Sequence, residues 1–112
     1  MDIAEWRKKI DELDRKMVEL LNERAKAAQE IGRLKRSTSM PIYEPDREKK
    51  IFENVKAVNK GPLSALDVTQ VFERIIDIMR NLQKNEIVPP GEEGKGKAAG
   101  GGGTEFDIDV NE

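Results

Sequence analysis

Neither cysteine nor histidine occurs among the 112 residues of this chain, and the double absence removes several chemistries. No disulfide framework, Cys/His zinc site, cysteine–histidine nucleophile pair or Ser-His-Asp triad can be built, and no imidazole is available as a base near neutral pH. Any catalysis must draw on carboxylates, amines, guanidiniums, amides or hydroxyls. A surplus of positive charge is missing too, since 20 Lys and Arg face 22 Asp and Glu for a formal net charge of -2. Nucleic-acid binders carry a basic excess, so no nucleic-acid partner is expected. No apolar run approaches the ~18 residues of a membrane span, and the opening MDIAEWRKK has no apolar centre of the kind a signal peptide needs. The expectation is a soluble, cytoplasmic protein without a membrane partner.

What the chain does have is helical periodicity. Ile3, Trp6, Ile10, Leu13, Met17, Leu20, Ala27, Ile31 and Leu34 recur at steps of three and four with one member missing, and no proline precedes Pro41. This predicts one long amphipathic helix from about Ile3 to Arg36. At 1.5 Å per residue it would reach about 50 Å, against about 30 Å for a small domain, so its own chain cannot cover it and a second copy is expected to do so. Ser37 to Pro41 breaks the pattern. Pro45, preceded by Glu44, suits the first turn of a second helix whose apolar face is Ile51, Phe52, Val55 and Val58, and Gly61-Pro62 should end it. Ser64 followed by Asp67 resembles a capping box, and Val68, Val71, Phe72, Ile75, Ile76, Met79 and Leu82 carry a third helix from about Ala65 to Glu86. The predicted fold is all-α, in long, short, medium order.

The domain is expected to span residues 1–87, a size at which a lone chain buries only about 60% of its unfolded surface. Residues 88–112 shift in composition, through Pro89-Pro90-Gly91 and Gly100 to Gly103, and are expected to form a linker and acidic tail without packed structure. At its end Phe106, Ile108 and Val110 alternate with Asp107 and Asp109. That pattern suits an edge strand added to a partner, and a disordered acidic terminus accounts for it too.

Polar residues that interrupt the apolar stripes are the candidates for function. Arg24 is the missing member of the series Ile3, Ile10, Met17 and Ile31, so a guanidinium stands where the pattern demands a hydrophobe. Lys35 shares its face, and Arg7 lies on the neighbouring edge. Arg7 and Lys35 can equally be edge residues that snorkel to water, and Arg24 can belong to an ion pair within the seam. Glu48, with Arg47 beside it, heads the stripe of the second helix, where acids also serve the helix dipole. Gln83 places an amide at the margin of the third helix's core face. Converging on one helical core, these residues describe a polar pocket for a small dianion: Arg forks match carboxylates, and a Lys can donate to a neutral or developing oxygen charge.

At these positions the sequence resembles the all-helical class of chorismate mutase. The resemblance rests on W-R-K-K-I-D-E-L-D from Trp6 to Asp14, L-L-N-E-R from Leu20 to Arg24, I-G-R-L-K from Ile31 to Lys35, P-I-Y-E-P-D-R-E from Pro41 to Glu48, and F-E-R-I-I from Phe72 to Ile76 leading to Gln83. It implies an intertwined homodimer of three-helix chains that rearranges chorismate to prephenate in phenylalanine and tyrosine biosynthesis, with neither metal nor cofactor. By that resemblance Arg24 binds one substrate carboxylate and Arg7 reaches in from the partner chain. Lys35 contacts the ether oxygen and a carboxylate, Gln83 is the second group at the ether oxygen, and Glu48 binds the substrate hydroxyl. Arg47 and Glu44 border the site, while Met79 stands where some members have a small hydroxyl residue. Three rivals use the same residues differently: an isochorismate pyruvate lyase, which usually lacks the glutamate matched by Glu48; a mutase-like regulatory or docking module whose tail recruits another shikimate-pathway enzyme; and a coiled-coil dimerisation protein, which has no use for Arg24 in its seam.

Overall fold

The computed structural model describes residues 1–87, and it consists of three helices, α1 (Ile3–Thr38), α2 (Pro45–Val58) and α3 (Ala65–Ile87), with no strand among the described residues. The expected order of long, short and medium is therefore present. The readings made for residues 88–112 lie outside the described residues.

The helix ends show what periodicity alone left open. Asp2 caps α1 through a reciprocal box in which the Glu5 N–H donates to Asp2 Oδ1 and the Asp2 N–H donates to Glu5 Oε1, both at 2.9 Å. Two of the orphan donors of the first turn are thereby satisfied. At the other end α1 runs two residues past the expected Arg36, because the Ser37 and Thr38 hydroxyls fold back onto the Leu34 carbonyl at 3.0 and 2.9 Å and remain helical. The break falls at Ser39, which takes the left-handed conformation at φ 60°. In α2, Pro45 opens the helix as expected, yet the helix stops at Val58, before Gly61-Pro62. Asn59 takes over there, donating from Nδ2 to the Leu63 carbonyl at 2.8 Å and accepting from the Gly61 N–H at 3.2 Å. The Ser64 box at the start of α3 is formed, with the Asp67 N–H donating to Ser64 Oγ at 3.0 Å.

Packing within the chain uses a face of α1 other than its apolar stripe. The buried residues of α1 are Ala28, Gly32 and Lys35, and they meet α3, whose buried residues are Ile76 and Met79. Small side chains are needed because α3 approaches so closely: a Cβ on Gly32 would stand 2.9 Å from Gln83 Cα and 3.0 Å from the Gln83 carbonyl oxygen. Both helices run in the same direction here, and their ends are tied by Arg33 to Glu86 Oε1 at 3.0 Å and by Arg36 to the Glu86 carbonyl at 2.7 Å. α3 also packs against α2.

The predicted stripe, by contrast, stays open: Ile3 is 68% exposed, Trp6 55%, Met17 55% and Leu34 65%. α3 has only 23 residues and packs beside the C-terminal part of α1, leaving the N-terminal half exposed among the described residues. Val58 is likewise exposed, at 72%, while Ile51, Phe52 and Val55 are half-buried.

Candidate active site

The α1–α3 crossing and the N-terminal turn of α2 enclose a cavity of about 400 Å³, a size suited to a small organic ligand. Of the residues singled out from sequence, Arg24, Lys35, Glu44, Arg47, Glu48 and Gln83 all line it, with Ala28, Ile31, Ile76 and Met79 supplying apolar wall. Arg7 does not. It is exposed on the same helix as Arg24, about 25 Å further toward the N-terminus, so within one chain it cannot reach the cavity.

Lys35 is where the structure corrects the edge-residue reading. It is 5% exposed rather than snorkelling, because Gly32 one turn earlier draws α3 in over it. Its ammonium donates to Gln83 Oε1 at 2.9 Å and to the Ile42 carbonyl at 3.1 Å, and it pairs with Glu44 Oε1 at 2.9 Å. Two hydrogen bonds and an ion pair thus reach α3, the α1–α2 loop and the cap position of α2, so that one side chain joins all three helices. Glu44 itself makes no capping bond and its side chain is 37% exposed, which makes it the least constrained of the three partners of Lys35.

The remaining charges divide into paired and unpaired. Lys35 answers Glu44, and Arg80 answers Glu48 at 2.7 Å, whereas neither Arg24 nor Arg47 forms an ion pair among the described residues. The seam ion pair left open for Arg24 from sequence is therefore not made among the described residues. Burial, and next the nearby charge of Arg47, lower the Arg24 pKa from the ordinary guanidinium value. A guanidinium stays protonated in proteins, so this opposition expresses itself as a demand for an anion. Two unmatched positive charges beside an otherwise neutralised wall are complementary to a dianion.

Sequence reasoning missed Arg80. Its Nε and Nη2 both donate to Glu48 Oε2, at 3.1 and 2.7 Å, its Nη1 donates to Asp77 Oδ1 at 3.2 Å, and its guanidinium lies 5.3 Å from the centre of the Tyr43 ring. The hydrogen bond to Glu48 is the main cause that raises the Arg80 pKa above the ordinary value. Helical spacing held the signal, because Arg80 follows Ile76 by four and precedes Gln83 by three and so shares their face. Met79, at 5% exposure, is a packing residue of the wall and brings no hydroxyl to the site.

Fold and site together define an all-helical protein whose cavity gathers two guanidiniums unpaired among the described residues, a buried lysine and an amide, a set that can hold and polarise a small anion. Residues 6–84 match the family described as chorismate mutase type II. Among curated proteins, the chain is 34% identical over 86 residues to the chorismate mutase of Methanocaldococcus jannaschii, covering 76% of this chain and 87% of that one. It is 37% identical over 87 residues to the bifunctional chorismate mutase/prephenate dehydratase of Aquifex aeolicus, covering 74% of this chain but only 24% of the relative. The chain therefore spans about a quarter of that bifunctional relative. Among solved structures, the Form II structure of the chorismate mutase of Thermus thermophilus superposes with a TM-score of 0.73 at 32% identity, covering 74% of this chain and 94% of that one. That of Helicobacter pylori, in complex with prephenate, gives 0.70 at 28% identity, covering 76% and 92%. The chain belongs to the type II chorismate mutase family.

Proposed function

We propose that this chain rearranges chorismate to prephenate, a step toward phenylalanine and tyrosine, in the cytoplasm. The observation that carries the reading is the charge pattern of the cavity: Arg24 and Arg47 unmatched by acids among the described residues, with Lys35 and Gln83 hydrogen-bonded to each other across α1 and α3. Chorismate is a dianion, and its rearrangement breaks an ether C–O bond while forming a C–C bond within the same molecule. No proton transfer, nucleophile or cofactor is called for, in keeping with a chain that has neither Cys nor His.

In this mechanism Arg24 and Arg47, with Arg7 donated by a second copy, hold the two carboxylates and fold the enolpyruvyl arm over the ring as a near-attack conformer. Negative charge then grows on the ether oxygen, where the Lys35 ammonium and the Gln83 amide N–H stabilise it more strongly than in the ground state. Gln83 Oε1 is already committed to Lys35, which leaves its amide nitrogen to donate. Lys35 needs one of its three partners to yield, and Glu44 is the one held least. Glu48 receives the ring hydroxyl.

The functional unit in this proposal is a homodimer. The exposed apolar residues of the N-terminal half of α1, among them Trp6 and Ile10, support it, because a second copy would cover them and bring Arg7 to the partner's cavity. Incubating the purified protein with chorismate and following the loss of its ultraviolet absorbance tests the activity; formation of prephenate is expected. No turnover, or release of pyruvate from isochorismate in its place, would overturn the reading.

A further inference from the structure

The cavity poses an electrostatic problem that the family resemblance does not address. A carboxylate, Glu48, lines a pocket suited to a dianion, with 20% of its side chain exposed, and like charges sharing so small a cavity repel strongly where water is scarce. Arg80 meets it with two N–H groups converging on the same oxygen, Oε2, while Oε1 has no partner among the described residues. Arg80 is itself pinned, with Nη1 on Asp77 and its plane near the Tyr43 ring, so three of its five N–H groups are already engaged before any ligand arrives.

We propose that Arg80 is a positioning residue that acts through Glu48: it cancels the Glu48 charge so that a dianion can enter, and it occupies one carboxylate oxygen so that the other alone is presented to the ligand's hydroxyl. The proposal rests on reading the cavity as the chorismate site. It differs from a role in which Arg80 grips a ligand carboxylate directly, as Arg24 and Arg47 do. In that case its contribution would be independent of Glu48; here it exists only while Glu48 is charged.

The two alternatives separate in a double-mutant cycle on the full chain. Chorismate turnover and chorismate binding by calorimetry are measured for the parent, Arg80→Leu, Glu48→Gln and the double variant, with Arg80→Lys as the conservative replacement. Arg80→Leu should raise KM and the dissociation constant about tenfold or more, the order expected from one uncompensated charge beside the ligand. Adding Glu48→Gln should lower both again to near the value of Glu48→Gln alone, and Arg80→Lys should stay within about threefold of the parent in binding, since it keeps the charge but not the fork. If the tenfold loss persists undiminished on the Glu48→Gln background, Arg80 contacts the ligand directly and the proposal is wrong. It is equally wrong if Arg80→Leu behaves as the parent. Should Arg80→Leu fail to fold, Arg80→Gln carries the same comparison, because it removes the charge while keeping a polar side chain of similar reach. A parent that binds chorismate without converting it would sink the proposed activity and still decide this point through the dissociation constants; a parent that does not bind it sinks both.

Discussion

Gly32→Ala is the most discriminating single substitution, because its two effects act in opposite directions. Alanine in a helix interior is favoured over glycine by about 0.8–1.0 kcal/mol, so on propensity alone α1 would gain stability. The added Cβ, however, would sit 2.9 Å from Gln83 Cα, 3.0 Å from the Gln83 carbonyl oxygen and 3.2 Å from Glu86 Cβ. Ordinary carbon contacts lie near 3.5–4.0 Å, so α3 must retreat by roughly 0.6 Å or more, and the atoms met first are backbone, which cannot swing aside. Overpacking of this kind costs about 1–3 kcal/mol, leaving a net loss of stability of at most about 2 kcal/mol after the helix gain. Function should suffer more than stability. The retreat moves Gln83 away from Lys35, its partner at 2.9 Å, and a misplacement approaching 1 Å at a reacting centre is worth up to about 10² in rate. The expected result is a folded protein whose turnover number falls about tenfold or more. Urea unfolding at fixed protein concentration and initial rates with chorismate give the two quantities. A variant more stable than the parent with an unchanged turnover number would refute the claim that this glycine sets the separation of α1 and α3 at the site.

Lys35→Ala should remove activity by roughly 10² to 10³, as loss of a preorganised donor does, and also lower stability by about 1–3 kcal/mol, because two part-buried acceptors and the Glu44 carboxylate lose their common partner; chemical denaturation showing no loss would return Lys35 to the role of a helix-end charge. Arg24→Met should leave unfolding stability unchanged or slightly raised, since burial and Arg47 both oppose the charge it removes. The same variant should raise KM by about 10- to 100-fold through one lost charge-assisted hydrogen bond, and a parental KM in steady-state kinetics would exclude Arg24 from substrate binding. Mixing inactive Arg7→Ala with inactive Lys35→Ala should restore up to about a quarter of parental activity, since about half of randomly exchanged dimers would hold one complete site of two. Absence of recovery after subunit exchange proven by native mass spectrometry would show that Arg7 does not act across an interface.

Much of this molecule was legible in one dimension because helices are local objects. The 3.6-residue period, Pro45 at a first turn and the Ser64–Asp67 pair depend on neighbours within a few positions, and they placed all three helices with ends shifted by only a few residues. The same period marked Arg24 as a cation out of place, and six of the seven residues singled out do share one cavity. Sequence could not tell which face of α1 its own chain would bury. That was decided by the close approach at Gly32, which selects the Ala28, Gly32 and Lys35 face and leaves the larger apolar stripe open. Nor could it pair the charges. Whether Lys35 snorkels or sits beneath three partners, and whether Glu48 stands free or is held by Arg80, depends on side chains 32 to 48 positions apart meeting across helices, and no local rule encodes such a distance.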